Sequence, residues 1–600
     1  MAPEPITDIH IPNQGTIRGS IHPTKRIVRF LNVPYGTVNE RWRPASKPEP
    51  WTGIRDATKQ GPVSPQPRGP YRFSRAINTY SGFDMDDETI DFDERHCLNV
   101  NIYVHEDTLA AVHENPGGEG VPVMSYIHGG GNRDGANAMD IYDGTNIVAE
   151  SVKIGRPVIV VVPNHRLHFL GFFSCPELVE DVRSDERLET EYEQSVGNWG
   201  LMDQKLALEW VKTHISQFGG APNQVTAFGE SAGSVGINYH LMIPQHHGLF
   251  QRAIMQSCSM NSVAAYRPEL EGKVYFDYLV DYFKLPKISR REQLALLKKI
   301  PSKEFGLAAE SPKLNMFTAW EDGVLLHEDA RKWVHKTEFY DRGVKALMIG
   351  DTKEEGSLFI ETLGAPTLAR WGRVKQRFCP PTEEGRKAWK EVYGEVRTDE
   401  EARNASSRVT ADFVSGYPVF STLRAASKRE DLCKGFDLFQ FYFDRSIRAV
   451  DEQGRNLGAH HGVDLAFLFA PDLALEKVFT EEEVRLSEQV RKLWIQFAYG
   501  ETNEKQRKED TLEVLRARIQ RPVDDYEYHQ SRVDGEAIVI TDKATMERDQ
   551  VSRAGRKVFE FWEQSEKWVS NEREQMKDGE EEGWKYGIVT FTRPSQQEWS

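Results

Sequence analysis

The chain has 600 residues, a hydrophobic fraction of 39% and a formal net charge of −16 at pH 7. This acidic balance argues against nucleic acid or an anionic membrane surface as a partner. No apolar run approaches the length of a membrane span, and the first eight residues lack the basic start and apolar core of a secretory signal. We therefore expect a cytoplasmic protein with a large apolar core.

The absence of linker-like and repetitive segments indicates how the chain is divided into domains. The first 500 residues contain no linker rich in Pro, Ser or Gly, no internal repeat and no low-complexity block. We expect a single enlarged α/β domain over residues 1–600, with a core at about 8–568. Within it, a charged, helix-rich insertion is predicted at 265–335, and a charged C-terminal tail at 569–600.

Five widely scattered cysteines make no C-x-x-C pair. A zinc or redox site is therefore not expected, and we predict neither a metal nor a cofactor. So few cysteines also favour a reducing compartment inside the cell.

Apolar runs of strand length alternate with helical patterns along the chain. The predicted strands lie at 9–11, 27–31, 98–104, 122–127, 157–162, 225–228, 252–256, 344–349 and 436–443. The clearest helix, within 198–220, carries one apolar face and stops at Gly219-Gly220. A last helix is predicted at 549–568. Alternation of this kind predicts a mostly parallel central sheet flanked by helices, with large helical insertions.

One motif combines a strand, a sharp turn and a helix. Gly229-Glu230-Ser231-Ala232-Gly233 follows the strand at 225–228 and precedes a helical run at 235–242. This is the context of a G-x-S-x-G nucleophile elbow, in which Ser231 is exposed on a strained turn. Gly229 and Gly233 are expected because side chains there would clash where strand and helix meet. Alone, the pattern is weak, since a glycine-rich turn needs no chemistry.

Other segments supply what a nucleophilic serine requires, namely a base and a group that stabilises an oxyanion. Gly129-Gly130-Gly131 follows a strand and resembles an H-G-G-G oxyanion loop, although three glycines also suit a plain turn. Downstream, Asp351, Glu354 and Glu355 follow another strand, and His460 and His461 lie on a later loop. The order serine, acid, histidine is that of an α/β-hydrolase triad. The residue pattern alone leaves both the acid and the histidine open.

Many ordered motifs resemble the type-B carboxylesterase family, which includes cholinesterases, fungal lipases and bacterial p-nitrobenzyl esterases. The resemblance covers most of residues 8–500 and favours an intracellular member of fungal type. It rests on Asn32-Val-Pro-Tyr-Gly36, Cys97-Leu-Asn-Val-Asn-Ile-Tyr103, His128-Gly-Gly-Gly131, Asn164-His-Arg-Leu167, Gly197-Asn-Trp-Gly-Leu-Met-Asp-Gln204, Gly229-Glu-Ser-Ala-Gly233, Lys353-Glu-Glu-Gly356 and His461-Gly-Val-Asp464. It implies an α/β-hydrolase fold and a small-molecule ester substrate.

By this resemblance, Ser231 is the nucleophile, His461 the general base and Glu355 the carboxylate that orients it. The family's acid is a glutamate that precedes a glycine, which selects Glu355 over Glu354 and Asp351. The family's histidine also precedes a glycine, which selects His461 over His460. The implied oxyanion donors are the backbone amides of Gly130, Gly131 and Ala232.

The sequence also departs from the family pattern. Ser64 stands where the family commonly has a cysteine partner for Cys97, so we expect a reduced Cys97 and a loop at 60–95 held only by packing. Arg95 replaces a common glutamate. That loop lacks a Trp, so a choline ester is not the expected substrate. Asn132 replaces a frequent aromatic, which predicts a more polar acyl pocket.

The resulting interpretation is a serine hydrolase that cleaves carboxylic esters through an acyl-enzyme. An acyltransferase or a lipase would use the same triad. A non-catalytic, cholinesterase-like binding protein is a further alternative, although such relatives typically lose the serine or the histidine. The sequence leaves the ester substrate and the oligomeric state open.

Overall fold

A computed structural model describes most of the chain. The described residues are 6–68, 90–360, 367–427, 436–447, 456–501 and 538–541, except for 116, 312–313, 315, 328–329, 337, 339 and 380. The predicted helix at 549–568 and the predicted tail at 569–600 lie outside them. So do Cys433 and residues 69–89 of the predicted loop.

The described strands form one sheet of twelve strands. They are β1 (Ile6–Ile11), β2 (Gly15–Ile21), β3 (Ile27–Pro34), β4 (Ile54–Asp56), β5 (Asn99–His105), β6 (Val121–Ile127), β7 (Ile159–Pro163), β8 (Gly220–Glu230), β9 (Arg252–Gln256), β10 (Ala346–Thr352), β11 (Asp437–Asp444) and β12 (Ile538–Thr541). Their order is β1-β2-β3-β5-β7-β6-β8-β9-β10-β11-β12, and β4 pairs with β2 outside this path.

The sheet has two parts that differ in strand direction. From β1 to β7 along this order the neighbours are antiparallel. From β7 to β12 they are parallel. The predicted mostly parallel sheet is confirmed. The sequence patterns did not reveal β2, β4 or β12, nor the antiparallel pairing of the first strands.

Helices lie along the chain between these strands. Their bounds are α1 (Glu106–Glu114), α2 (Thr145–Lys153), α3 (His168–Gly171), α4 (Pro176–Arg183), α5 (Trp199–His214), α6 (Ala232–Met242), α7 (Lys273–Tyr282), α8 (Arg290–Leu297), α9 (Ser302–Ala308), α10 (Ala330–Trp333), α11 (Leu368–Phe378), α12 (Glu383–Tyr393), α13 (Asp399–Ala411), α14 (Tyr417–Ser427), α15 (Val463–Phe469) and α16 (Glu481–Ala498). Four of these, α7 to α10, fall within the predicted helical insertion at 265–335.

Alternate residues of the central strands belong to two different apolar cores. On β8, Val225 and Ala227 pack in the core that includes residues of α5 and α6. Phe228 points the other way, into the core that includes residues of α2 and α16. This alternation follows from the two-residue period of a strand. The sheet is therefore the middle layer between two layers of helices.

The helix α5 begins where its sequence predicts, its α-helical part ends at His214, and the helical run as a whole stops at the predicted Gly219. A 3₁₀ turn, Ile215–Phe218, follows it, and Gly219 then takes a left-handed φ of 89°. A residue without a Cβ accommodates this conformation easily, which explains why the helix stops there. The strand β8 begins at the next residue, five positions earlier than the apolar run at 225–228 suggests.

No helix in the described part of the chain has the length and apolar character needed to span a bilayer. The parallel strands all point their carboxyl ends toward one edge of the sheet. In sheets of this kind, ligands bind at that edge. The sequence-predicted site residues follow β6, β8, β10 and β11, so the fold brings their loops to this edge together.

Candidate active site

Ser231 occupies the single position between β8 and α6. Its φ of 56° and ψ of −122° lie outside the regions that a residue with a side chain usually adopts. A Cβ on Gly233 would approach the carbonyl oxygen of Ile127 to 2.0 Å, and one on Gly229 would lie 2.7 Å from the same atom. Both glycines are thus required by the close approach of β6, as the motif predicts.

Glu355 and His461 come together across the ends of β10 and β11. Nδ1 of His461 lies 2.5 Å from Oε2 of Glu355. The other carboxylate oxygen of Glu355 accepts hydrogen bonds from the Ser257 hydroxyl at 2.5 Å and the Thr352 amide at 2.8 Å. Both Glu355 and His461 are only 2% exposed. The carboxylate is therefore fixed from one side and aimed at the ring from the other.

The neighbouring candidates lie differently. The ring of His460 bonds through Nδ1 to the carbonyl oxygen of His461, at 2.8 Å. Glu354 is exposed, and its amide donates to the carbonyl oxygen of Ala459 at 2.9 Å. The buried pair that faces the nucleophile elbow is Glu355 with His461, which is the choice that the resemblance implied.

A second carboxylate reaches the same imidazole. Nε2 of His461 lies 2.9 Å from Oε1 of Glu230. Within the described residues, no hydrogen bond joins Ser231 to His461. Ser231 lines the same pocket as Cys258. The structure thus brings Ser231, Glu355 and His461 to one place, but it pairs Nε2 with Glu230.

Two carboxylates around one ring alter its titration. Burial disfavours the charged imidazole, but the Glu230 and Glu355 carboxylates outweigh that effect and hold the pKa of His461 well above its ordinary value. Burial acts against Glu355 as well, and the facing His461 still keeps the pKa of this carboxyl below its usual range. The raised pKa of His461 therefore favours the charged form of its ring.

The residues that sequence reasoning missed are Glu230, Ser257 and Asp464. Asp464 accepts a hydrogen bond from the Gln256 side chain at 2.7 Å. Burial and the nearby Glu230 raise the pKa of Asp464 to about 7, against the effect of that bond. Glu230 stands next to Ser231 in the motif, so its place could have been noticed. Ser257 carries no sequence signal beyond following a strand end.

On the opposite side of Ser231, the predicted oxyanion loop presents backbone amides. Gly130 and Gly131 have φ values of 100° and 63°. The amides of Gly130, Gly131 and Ala232 donate no hydrogen bond to the described parts of the chain. They are available to an oxygen atom bound beside Ser231.

A short segment at 316–318 holds this loop from outside. The Phe317 amide donates to the Gly131 carbonyl at 2.7 Å, and the Asn132 side chain donates to the Phe317 carbonyl at 3.0 Å. On the other flank, Gln66 bonds both the amide and the carbonyl of Gly135, at 2.8 and 3.1 Å. The loop geometry is thus fixed by several neighbours.

A pocket opens beside Ser231, and the space within and in front of it, including open solvent, is about 500 Å³. Its wall is largely apolar, and none of the described residues that line it is charged. The lining residues are Gly131, Asn132, Ser231, Ala232, Val235, Cys258, Ser262, Val263, Met316, Phe317, Thr318, Phe359 and Val414. Asn132 is among them, as expected, but its amide group is engaged by Phe317.

The region around Cys97 corrects one expectation. Cys97 is a buried free thiol, as predicted, and so are the other described cysteines, Cys175, Cys258 and Cys379. The described flanks of the predicted loop are not held by packing alone. The Ser64 hydroxyl accepts from the Leu167 amide at 3.3 Å, and the Asn101 side chain donates to Gln60 at 2.8 Å. Hydrogen bonds tie these flanks to the sheet because buried polar groups need partners.

The fold and these side chains define a serine hydrolase with an α/β-hydrolase fold. A model of the carboxylesterase family matches residues 5–530. The chain belongs to this family and is a carboxylic ester hydrolase. That it is of fungal type stays a prediction.

Similar proteins agree with this assignment. Acetylcholinesterase 4 of Caenorhabditis briggsae is 26% identical over 81% of this chain and 80% of its own length. Acylcarnitine hydrolase of Mus musculus is 27% identical over 83% and 84%. Among solved structures, a PNB esterase is 25% identical with a TM-score of 0.59, covering 82% of this chain and 90% of its own. A thermophilic PNB esterase reaches a TM-score of 0.62 at 24% identity, with coverage of 82% and 91%.

Proposed function

We propose that this protein hydrolyses carboxylic esters through an acyl-enzyme on Ser231. The Ser231 oxygen attacks the ester carbonyl, and Nε2 of His461 takes the hydroxyl proton. The same proton then passes to the oxygen of the leaving alcohol as the C–O bond breaks. A water molecule activated by His461 attacks the acyl-enzyme and releases the acid.

The observation that carries this proposal is the buried contact between Glu355 and His461 beside a strained Ser231. A carboxylate on Nδ1 fixes the tautomer whose Nε2 can accept a proton, and it stabilises the imidazolium that forms. For the proton transfer, His461 must be neutral, with no proton on Nε2, and Nε2 must turn from Glu230 toward the Ser231 hydroxyl. Small adjustments of this kind are common when a catalytic site binds its substrate.

The amides of Gly130, Gly131 and Ala232 are the proposed oxyanion donors. Negative charge develops on the carbonyl oxygen when the serine attacks, and fixed amides stabilise it without reorganising. Their hydrogen-bonding capacity is unused by the described residues, which leaves it for the substrate.

The pocket supports a substrate class. It is lined by Gly131, Ser231 and Ala232, whereas His461 is not part of its wall. A leaving alcohol must face His461 to receive its proton, so the pocket is the place of the acyl group. Because no charged side chain in the described part of the chain lines it, we expect an uncharged, apolar acyl chain.

Acyl transfer to an alcohol or amine remains the second candidate, because it would proceed through the same acyl-enzyme. Adding a competing acceptor during turnover separates the two, since a transferase forms the new ester or amide in place of the free acid. Activation at a lipid interface would identify a lipase.

The direct test uses p-nitrophenyl acetate. We expect one equivalent of p-nitrophenol per chain in a rapid burst, and a fall in kcat of about 10⁴–10⁶ in Ser231→Ala. Ser125→Ala is the matched control, because this buried hydroxyl on β6 has no hydrogen-bond partner among the described residues and lies outside the site. An organophosphate adduct on another serine, or normal turnover in a folded Ser231→Ala protein, would refute the proposal.

A further inference from the structure

We propose that Cys258 determines the length of the acyl chain that the pocket accepts. This inference rests on the proposed function and adds a specificity residue to it. Cys258 follows the end of β9, two residues after Gln256, and its side chain lines the pocket together with Ser231. With Phe359 and Val414 it forms a small apolar cluster, separate from the two main cores.

The backbone of Cys258 is held in an unusual conformation. Ser257 and Cys258 have φ values of 56° and 65°, which residues with side chains rarely adopt. The Cys258 amide donates to the Ser415 hydroxyl at 3.2 Å. Its carbonyl accepts from the Ser234 hydroxyl at 2.9 Å. Partners on two different helical segments therefore fix the direction in which the side chain leaves the backbone.

The thiol stands beside the point where the acyl chain begins. Cys258 lines the pocket together with Ser231 and Ser262. Burial raises its pKa well above the ordinary value, so it remains a neutral thiol against an apolar chain. In the acyl-enzyme, the carbonyl carbon is bonded to the Ser231 oxygen. The first carbons of the chain must then pass Cys258, whose Cβ and Sγ fill the space of about two methylene groups.

The left-handed φ makes Cys258→Gly an informative test. Glycine adopts this conformation without steric cost, which offsets the loss of the buried side chain, so the variant should fold while its pocket becomes deeper. The readout is kcat/KM over p-nitrophenyl esters from acetate to decanoate. We expect the optimum to move toward longer chains by about two carbons. The ratio of the longer ester to acetate should rise about tenfold or more, since each accommodated methylene changes such ratios by about 10–200-fold.

Two further variants complete the experiment. Cys258→Met should move the optimum to shorter chains, because its side chain extends farther into the pocket. Cys97→Ala removes another buried free thiol that does not line the pocket, and should leave the chain-length profile unchanged. If the glycine variant misfolds, Cys258→Ala and Cys258→Met carry the test.

An unchanged profile in a folded, active Cys258→Gly protein overturns the inference. It is also overturned if Cys97→Ala shifts the chain-length profile as much as Cys258→Gly does. The position of Cys258 in the pocket would then not be the cause of the shift. These outcomes are distinct from failure of the proposed function. If Ser231→Ala kept normal activity and its chain-length profile still changed on substitution of Cys258, Ser231 would not be the nucleophile. Cys258 would still determine the chain length.

Discussion

The two sides of the candidate active site are built from different kinds of groups. On one side, the ring of His461 lies between the side chains of Glu230 and Glu355, at 2.9 and 2.5 Å. On the other side, the glycine loop contributes backbone amides, and the described residues that line the pocket include no charged side chain. The first side is made of ionisable groups, and the second of fixed dipoles.

This difference matches the charges that ester cleavage creates. A cation forms on the imidazole, and an anion forms on the carbonyl oxygen. Carboxylates stabilise the cation but make the site dependent on pH, because they change how readily the imidazole gains a proton. Amides stabilise the anion at any pH, but they depend on the backbone keeping its shape. Substitutions on the two sides should therefore lower the activity in different ways. Those on the carboxylate side should change its pH dependence, and those on the amide side should not.

The largest effect is expected on the carboxylate side, at the histidine. His461→Ala should lower kcat for p-nitrophenyl acetate by about 10⁴–10⁶, because the triad acts as a unit. His460→Ala is the adjacent control, since Nδ1 of His460 contacts the backbone carbonyl oxygen of His461. If His460→Ala were inactive while His461→Ala kept near-normal activity, the general base would be His460.

The next effect concerns the carboxylate behind the ring. Glu355→Gln keeps the shape of the side chain but removes the charge that orients and stabilises the imidazolium. We expect kcat to fall by about 10³–10⁴. Stopped-flow kinetics should show slower acylation, with Tm little changed. A loss below about tenfold would mean that Glu230 alone suffices as the anion for His461.

On the amide side, Gly130→Ala should lower kcat by about 10²–10³, the value of one oxyanion donor. A Cβ at this position would lie 2.1 Å from the carbonyl oxygen of Asp134, so the loop must shift. Gly117→Ala is a matched control, because Gly117 has a similar φ of 96° but open space around it. The loss should be the same at every pH. A pH-dependent loss would contradict the assignment of fixed dipoles to this side.

The smallest effect on the maximal rate is expected for Glu230→Gln. The base must be neutral to accept a proton, and the Glu230 carboxylate favours the charged ring. Removing this carboxylate lowers the pKa of His461, so the acidic limb of the pH profile of kcat/KM moves to lower pH. The plateau should change by less than about tenfold. Glu354→Gln, which alters an exposed neighbour of Glu355, should leave the limb in place.

Sequence reasoning located the parts of the site that sit in local motifs. Ser231 and the glycines around it are fixed by a strand, a turn and a helix close together in sequence, so their pattern was sufficient. The pairing of Glu230 with His461 is a contact between distant segments and leaves no periodic signal. The sequence analysis missed the strand β12 for a similar reason. This strand is short, and its partner β11 ends at Asp444, far earlier in the sequence. The expectation of a loop held only by packing failed because sequence does not show which buried polar groups find partners.

The order of strands in the sheet has a consequence for how the chain is made. The strand β9 ends at Gln256, whereas its neighbour β10 begins only at Ala346. At a synthesis rate of about 5–20 residues per second, the ribosome needs roughly 4–20 s to make the intervening segment. During that time the nascent sheet carries an unpaired edge made of Arg252–Gln256, which can join the edge of another nascent chain. The segment at 257–345, which separates the two strands, therefore sets how long each new molecule is exposed to aggregation.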